Sequence, residues 1–290
     1  MGTDATAVDW GHARRGLHTA VGRVTSLLRT VRDPNATALG QWTLAGVAQH
    51  LSHAWMAVPG LARGDLSRVH EVVPHSAGRA GESLITELAE LATLTTEAVE
   101  ADQERDPARL ADRIETAAAE YFAECDGLSA DDRRPWLVEN TTVSRAALTC
   151  HLLNETLVHG WDIAHAEARP WPIERADAVA VIEGFLIPAV RQLEPRDLVD
   201  QATAAGMLAT YEVHVRGGHR WHFLFDDGEL HIEDPARRRV DCHVSADPAA
   251  MLLVIWGRQS QWAAIARGQL VAWGRKPWLG PQLRPMMRNP

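Results

Sequence analysis

The chain has 290 residues, of which 46% are hydrophobic and 23% charged, and its formal net charge is −9. This length accommodates one large domain or two ordinary ones around a sizeable core, and the composition is that of a globular protein rather than a disordered one. An acidic surface repels phosphate backbones, so nucleic acid is not expected as a partner; the densest basic run, Arg237 to Arg239, is short.

Taken in chain order, the first two-thirds reads as helices. Leu17, Val21, Val24 and Leu28 recur at spacings of four, three and four, which predicts a helix with one buried stripe. Thr43 to about Val58 is a second helix, with Pro59-Gly60 marking its end. His70 to Gly81, containing Pro74 and Gly78, reads as a loop. Helices follow over about Glu82–Ala101 and Pro107–Cys125, the latter with proline in its first turn. Pro135-Trp136 interrupts the pattern, and Thr142 is placed to cap a long helix ending near Ala166. Pro170 and Pro172 stop it, and another helix spans about Arg175–Gln192.

After Pro195 the period changes. Tyr211–Val215 and Trp221–Phe225 alternate as strands do, bounded by Gly217-Gly218 and Asp226-Asp227-Gly228 turns. Leu230–Glu233 and Val240–Ser245 continue the series. Asp247-Pro248 opens a helix to about Trp256, and a short one follows near Trp262–Ala266. The expectation is a helical domain over residues 1–198 and a small α+β domain over 199–290.

Cys125, Cys150 and Cys242 lie far apart with no CxxC spacing, which argues against disulfides or a cysteine zinc site and suits a reducing cytoplasm. No signal pattern opens the chain, and no apolar run is long enough to span a bilayer, so a cytoplasmic protein with no membrane partner is expected. Tryptophan is over-used, 11 residues against 2 Tyr and 4 Phe. Each Trp reads first as core or boundary packing.

The informative stretch is HLLNETLVHGWDIAHA, residues 151–166. Leu148, Leu152, Glu155, His159, Asp162 and Ala166 form one stripe at alternating steps of four and three, so three ionisable groups occupy positions that face a core. An isolated buried carboxylate costs several kcal/mol, and a divalent cation removes that penalty. Glu155 and His159, one turn apart, converge on one point of the helix face. Val47, His50 and Ala54 on the second helix follow the same spacing and turn His50 inward as a third ligand. A metal-free buried ion pair is the competing explanation. His151 offers a rival trio with Glu155 and His159, although successive i, i+4 steps drift by about 40° each. His53 and His165 read as solvated or supporting residues.

WTLAGVAQHLSH at 42–53 and NETLVHGWDIAHA at 154–166 resemble the two motifs of the mycothiol-dependent maleylpyruvate isomerase family within the DinB-like metalloproteins. FLFDDGELHI at 223–232 and DCHVSADPAAMLLVIWGRQS at 241–260 are similar to the sterol-carrier-like tail domain of these enzymes. The resemblance implies a DinB-like four-helix bundle followed by a small α+β sterol-carrier-like domain. It also implies a divalent metal ion, zinc as the expected one, on His50, Glu155 and His159. Mycothiol would be the thiol cosubstrate and a small electrophile the substrate. The chain departs from a minimal family member in its length around residues 65–82 and 102–140.

A thiol of pKa about 8.5 is mostly protonated at neutral pH, and coordination to a divalent ion deprotonates it. The implied activity is therefore thiolate addition, as a cis-trans isomerase or as an S-transferase. Arg258, in WGRQS, stands where the family's tail domain carries an arginine that looks functionally important, and it is the candidate catalytic residue for holding a carboxylate. A surface salt bridge is its other reading. Two further classes remain: a binding protein with a structural metal, and a hydrolase using metal-activated water.

Overall fold

The computed structural model describes residues 8–63, 65, 67, 88–136 and 142–288. They form two compact units, one over Asp9–Pro172 and one that includes Ile173–Pro290.

The first unit is built on helices α1 (Trp10–Leu28), α2 (Leu44–Arg63), α3 (Leu88–Ala101), α4 (Pro107–Cys125) and α5 (Arg145–Ala166). α1 and α2 each pack against both α4 and α5, which closes a four-helix bundle, while α3 lies against α2. The α1 stripe of Leu17, Val21, Val24 and Leu28 is buried as its spacing predicts. Asp9 and Asp106 cap α1 and α4 by accepting from His12 N and Ala108 N. Two small hairpins precede the longest helices: β1 (Thr37–Leu39) with β2 (Trp42–Thr43), and β3 (Arg133–Pro135) with β4 (Thr142–Ser144).

Two boundaries differ from the sequence reading. α2 does not stop at Pro59 but runs on to Arg63. Proline removes one rung of the ladder rather than the whole of it, and an Arg63–Glu124 ion pair ties the extra turn to α4. Thr142 is not the cap of α5. It is held extended opposite Pro135 in the hairpin, and Ser144 accepts from Ala147 N instead. The third helix is described from Leu88, so residues 82–87 and the expected loop at His70–Gly81 lie outside the described residues.

In the second unit, α6 (Arg175–Val181) continues through a π-helical turn at Ile182–Leu186 into α7 (Ile187–Val190), and a short α8 (Gln201–Ala204) follows. The sheet has the order β7-β6-β5-β8-β9, from β5 (Leu208–Val215), β6 (Arg220–Asp226), β7 (Glu229–Glu233), β8 (Cys242–Ala246) and β9 (Leu270–Trp273). Only β5 and β8 run parallel. The β6–β7 turn is the two-residue Asp227-Gly228, both at positive φ (43° and 84°), the conformation that Asp-Gly favours in a hairpin. α9 (Pro248–Ile255) opens on an Asp247 cap and packs on α6; α10 (Gln261–Ala266) and α11 (Leu283–Met286) complete the unit. β9 has no counterpart in the sequence reading, because four residues are too few to display alternation. Among the described residues no helix is long and apolar enough to cross a membrane.

α5 is packed closely enough at one point to make a test. The Trp171 ring lies on Gly160, donates its indole N–H to Leu157 O at 2.9 Å, and is covered by the Arg23 guanidinium 4.2 Å from its centre. A Cβ at position 160 would collide with that ring. Alanine gains about 1 kcal/mol of helix propensity over glycine, but overpacking a pinned ring costs about 1–3 kcal/mol. Gly160→Ala should therefore lower the unfolding free energy by up to about 2 kcal/mol in urea titrations; a gain in stability would show that the ring yields.

Candidate metal centre

α5 carries ionisable residues on its inner face among Leu148, Leu152 and Leu153, which are at most 1% exposed. Glu155 Oε2 lies 3.3 Å from His50 Nε2 of α2 and 3.4 Å from His159 Nε2. One ligand atom from each of these three residues lies within 4.8 Å of the others. The His50 and His159 rings meet edge to face, 4.6 Å apart, and Trp42 covers His50 at 5.3 Å.

These separations bear on whether the group holds an ion. A charge-assisted N–H···O contact closes to about 2.7–2.9 Å, shorter than either contact here. Two ligands bound at about 2.0–2.1 Å to a tetrahedral ion sit about 3.3 Å apart, which is the spacing found. Two imidazole nitrogens and a carboxylate oxygen also form a donor set suited to zinc or another borderline divalent ion. The residues present thus fit a divalent cation.

The remaining atoms of the site have partners. His159 Nδ1 donates to Asp162 Oδ2 at 3.0 Å, and Asp162 is 1% exposed. This carboxylate fixes the tautomer that leaves Nε2 directed inward. His151 Nε2 faces the other oxygen of Glu155, Oε1, at 3.6 Å, and its Nδ1 accepts from the Trp136 indole at 3.3 Å. His53 is buried, paired through Nε2 with Asp102 Oδ2 at 2.9 Å, while Arg113 donates to the same oxygen at 2.8 Å. Gln49 donates to Asp102 O at 3.0 Å. Asp102 therefore anchors α2 on both sides of His50. His165 is exposed and stacks on Trp161 at 4.5 Å.

Arg258 belongs to the second unit. It follows α9, its backbone N–H donates to Leu253 O at 2.7 Å and its Nη1 to Trp256 O at 2.6 Å, and its side chain is half-buried. The supporting roles of Trp42, Trp136 and Asp162 are absent from the sequence reading. The inward stripe flagged Asp162 and the tryptophan excess flagged the other two, but neither signal assigns a partner.

A helical bundle with an inward His2Glu set, followed by a small mixed-sheet unit, defines a two-part class of protein. The family model of the mycothiol maleylpyruvate isomerase N-terminal domain matches residues 17–164, more than half the chain, and the protein belongs to that family. The SCP-2 sterol transfer family model matches residues 190–274. Among solved structures, the crystal structure of the mycothiol-dependent maleylpyruvate isomerase is 12% identical, covering 94% of this chain and 95% of that one with a TM-score of 0.47. A histidine-to-alanine mutant of that enzyme has the same identity and coverage and a TM-score of 0.49. A ubiquinone synthesis protein is 19% identical over 29% of this chain and 76% of its own, with a TM-score of 0.23. No curated protein matches.

The electrostatics of the triad predict how an ion enters. Burial opposes ionisation of Glu155, but the imidazoles of His151, His159 and His50 around it outweigh burial and hold the carboxyl well below its usual range. Burial also lowers His50. For His159 burial works against the proton, yet Asp162 and Glu155 prevail and push it up to about 9. At neutral pH His159 is therefore the protonated member, and a ligating imidazole must be neutral. Zinc binding at pH 7 should release about one proton per ion, with affinity rising about tenfold per pH unit until His159 titrates. Calorimetry in buffers of different ionisation enthalpy checks this, and binding without proton release would contradict it.

Proposed function

We propose that the protein is a metal-dependent, mycothiol-dependent enzyme that adds a thiolate to an electrophilic small molecule. The observation that carries this reading is the convergence of His50, Glu155 and His159 at ligand-to-ligand spacing within a domain of the mycothiol maleylpyruvate isomerase family. A divalent ion, zinc by the donor set, supplies one thing when bound: it lowers the pKa of a coordinating thiol, so that sulfur reacts near neutral pH. Three protein ligands suit a catalytic site, because a fourth position is left for an exchangeable group.

The chain's own residues do the rest. Glu155 brings a negative charge that partly neutralises the ion. Asp162 keeps His159 in its ligating tautomer. The protein's own thiols do not compete: all three cysteines are buried, and burial pushes Cys150 up to about 12. A nucleophilic sulfur therefore has to come from a cosubstrate, and the family makes mycothiol the first choice. Addition to a conjugated C=C, rotation about the resulting single bond and elimination would return the thiol, as in an isomerase. Displacement of a leaving group would retain it in the product, as in an S-transferase. Arg258 is proposed as an anion-binding residue, since a guanidinium takes a carboxylate bidentately.

Two outcomes are expected. Turnover of an activated electrophile by zinc-loaded protein should require mycothiol, with glutathione a poor substitute, and His159→Ala or Glu155→Ala should lose the metal and the activity together. Mass spectrometry of the reaction separates a regenerated thiol from a conjugate. Equal rates with and without thiol would overturn the reading in favour of a hydrolase, and tight metal binding with no thiol effect would favour a binding protein. Arg258→Ala should raise KM for a carboxylate-bearing substrate by about tenfold or more, and no change would remove Arg258 from the site.

A further inference from the structure

The two oxygens of Glu155 have different surroundings. Oε2 lies between the Nε2 atoms of His50 and His159, at 3.3 and 3.4 Å. Oε1 accepts from the Asn154 side-chain amide at 3.3 Å and faces His151 Nε2 at 3.6 Å. On the far side of the His151 ring, the Trp136 indole N–H donates to Nδ1 at 3.3 Å, and both residues are buried. An indole nitrogen donates only. His151 Nδ1 is therefore the acceptor, and the proton of the neutral ring sits on Nε2, aimed at Oε1. The 3.6 Å approach is longer than a hydrogen bond, and what acts across it is the attraction between a polarised N–H and a carboxylate in a site of low dielectric.

We infer that His151 is a positioning residue of the metal centre: its Nε2–H, fixed by the Trp136 indole, holds Oε1 of Glu155 and reserves Oε2 for the ion. The inference rests on the metal reading proposed above and adds a role for a histidine outside the ligand set. A protonated Nε2 has no lone pair for a metal, so His151 acts through Glu155 rather than on the ion. The arrangement also separates the three imidazoles around one carboxylate. Two can offer Nε2 to a cation, His159 once it has given up its proton, and the third offers a hydrogen to the anion. The partner that sets this choice for His151 is Trp136, and for His159 it is Asp162.

The test measures zinc affinity of the full chain by competition with a chromophoric chelator. His151→Gln keeps an N–H at about the reach of Nε2, whereas His151→Asn places its amide near Nδ1 and leaves Oε1 with Asn154 alone. The glutamine variant should bind zinc within about threefold of wild type, and the asparagine variant should lose about ten- to a hundredfold. Trp136→Phe should fall between them. Far-UV circular dichroism and thermal melting identify any variant that has lost its fold. Independently of any substitution, imidazole nitrogen–proton correlation spectra of the zinc-free protein should place the His151 proton on Nε2. Wild-type affinity in the asparagine variant, or a proton on Nδ1, would overturn the inference. So would a glutamine variant as weak as His159→Ala, which would make the ring itself a ligand. Wild-type protein that binds no zinc would remove the metal reading, and this inference with it; zinc binding by wild type with both His151 variants unimpaired would remove only the inference.

Discussion

Glu155 keeps its charge in a place where a carboxylate alone would not, because three imidazoles surround it inside a leucine-lined bundle. Burial of an unpaired carboxylate costs several kcal/mol, enough to protonate it. Here the neighbouring histidines win, and the carboxyl stays ionised. That one balance dictates much of what lies around it. Two of the imidazoles present Nε2 to one carboxylate oxygen at distances too long for a tight ion pair. The resulting gap is framed by one carboxylate and two imidazole rings, a donor set that fits a divalent ion.

The bundle suits this balance because its ligands come from two helices that are already packed together. Glu155 and His159 are one turn apart on α5, so backbone hydrogen bonds fix their separation. His50 reaches them from α2, and the position of α2 is pinned by Asp102, which receives Gln49 and His53 from either side of His50. A ligand triad spread over loops would have to order its backbone on binding the ion. Helices have met that entropic cost in folding. The second unit contributes a separate sheet, and Arg258 sits at the exit of its helix α9 on two short backbone contacts.

Much of this was legible in the residues, and the illegible parts have physical reasons. The steps of three and four that run through Leu148, Glu155, His159 and Asp162 place those groups on one face whatever the tertiary structure, so the α5 half of the site can be read locally. His50 could be turned inward by the same logic. Whether it meets Glu155 depends on how α2 packs on α5, and spacing carries no information about that. His151 illustrates the limit. Its i, i+4 relation to Glu155 suggests a rival ligand, and its orientation depends on Trp136, fifteen residues upstream and just past β3. Pro59 and Thr142 mislead for a similar reason. Local preference would end a helix or cap one there, but an ion pair to α4 and a hairpin partner decide otherwise. β9 is a short apolar run whose strand character comes from lying beside β8.

The tryptophan excess acquires a meaning once α5 is in place. Trp10 donates to Thr149 Oγ1, Trp136 to His151 Nδ1, Trp55 to Thr156 Oγ1 and Trp171 to Leu157 O, at 2.8, 3.3, 3.2 and 2.9 Å. Four indoles thus reach α5 within about two turns, on either side of Glu155. Both threonine hydroxyls already donate to carbonyls of their own helix, so each has an acceptor site left for an indole. Phenylalanine would fill the same space without a hydrogen bond. Tyrosine would bring a hydroxyl that accepts as well as donates, so the residue itself does not set the direction of the bond. Tryptophan combines a large apolar ring with a single, strictly donating group. A helix gripped this way has little freedom to rotate about its axis. Rotation is the motion that would swing Glu155 and His159 away from His50, and a packing preference for tryptophan is in this sense part of what holds the triad together.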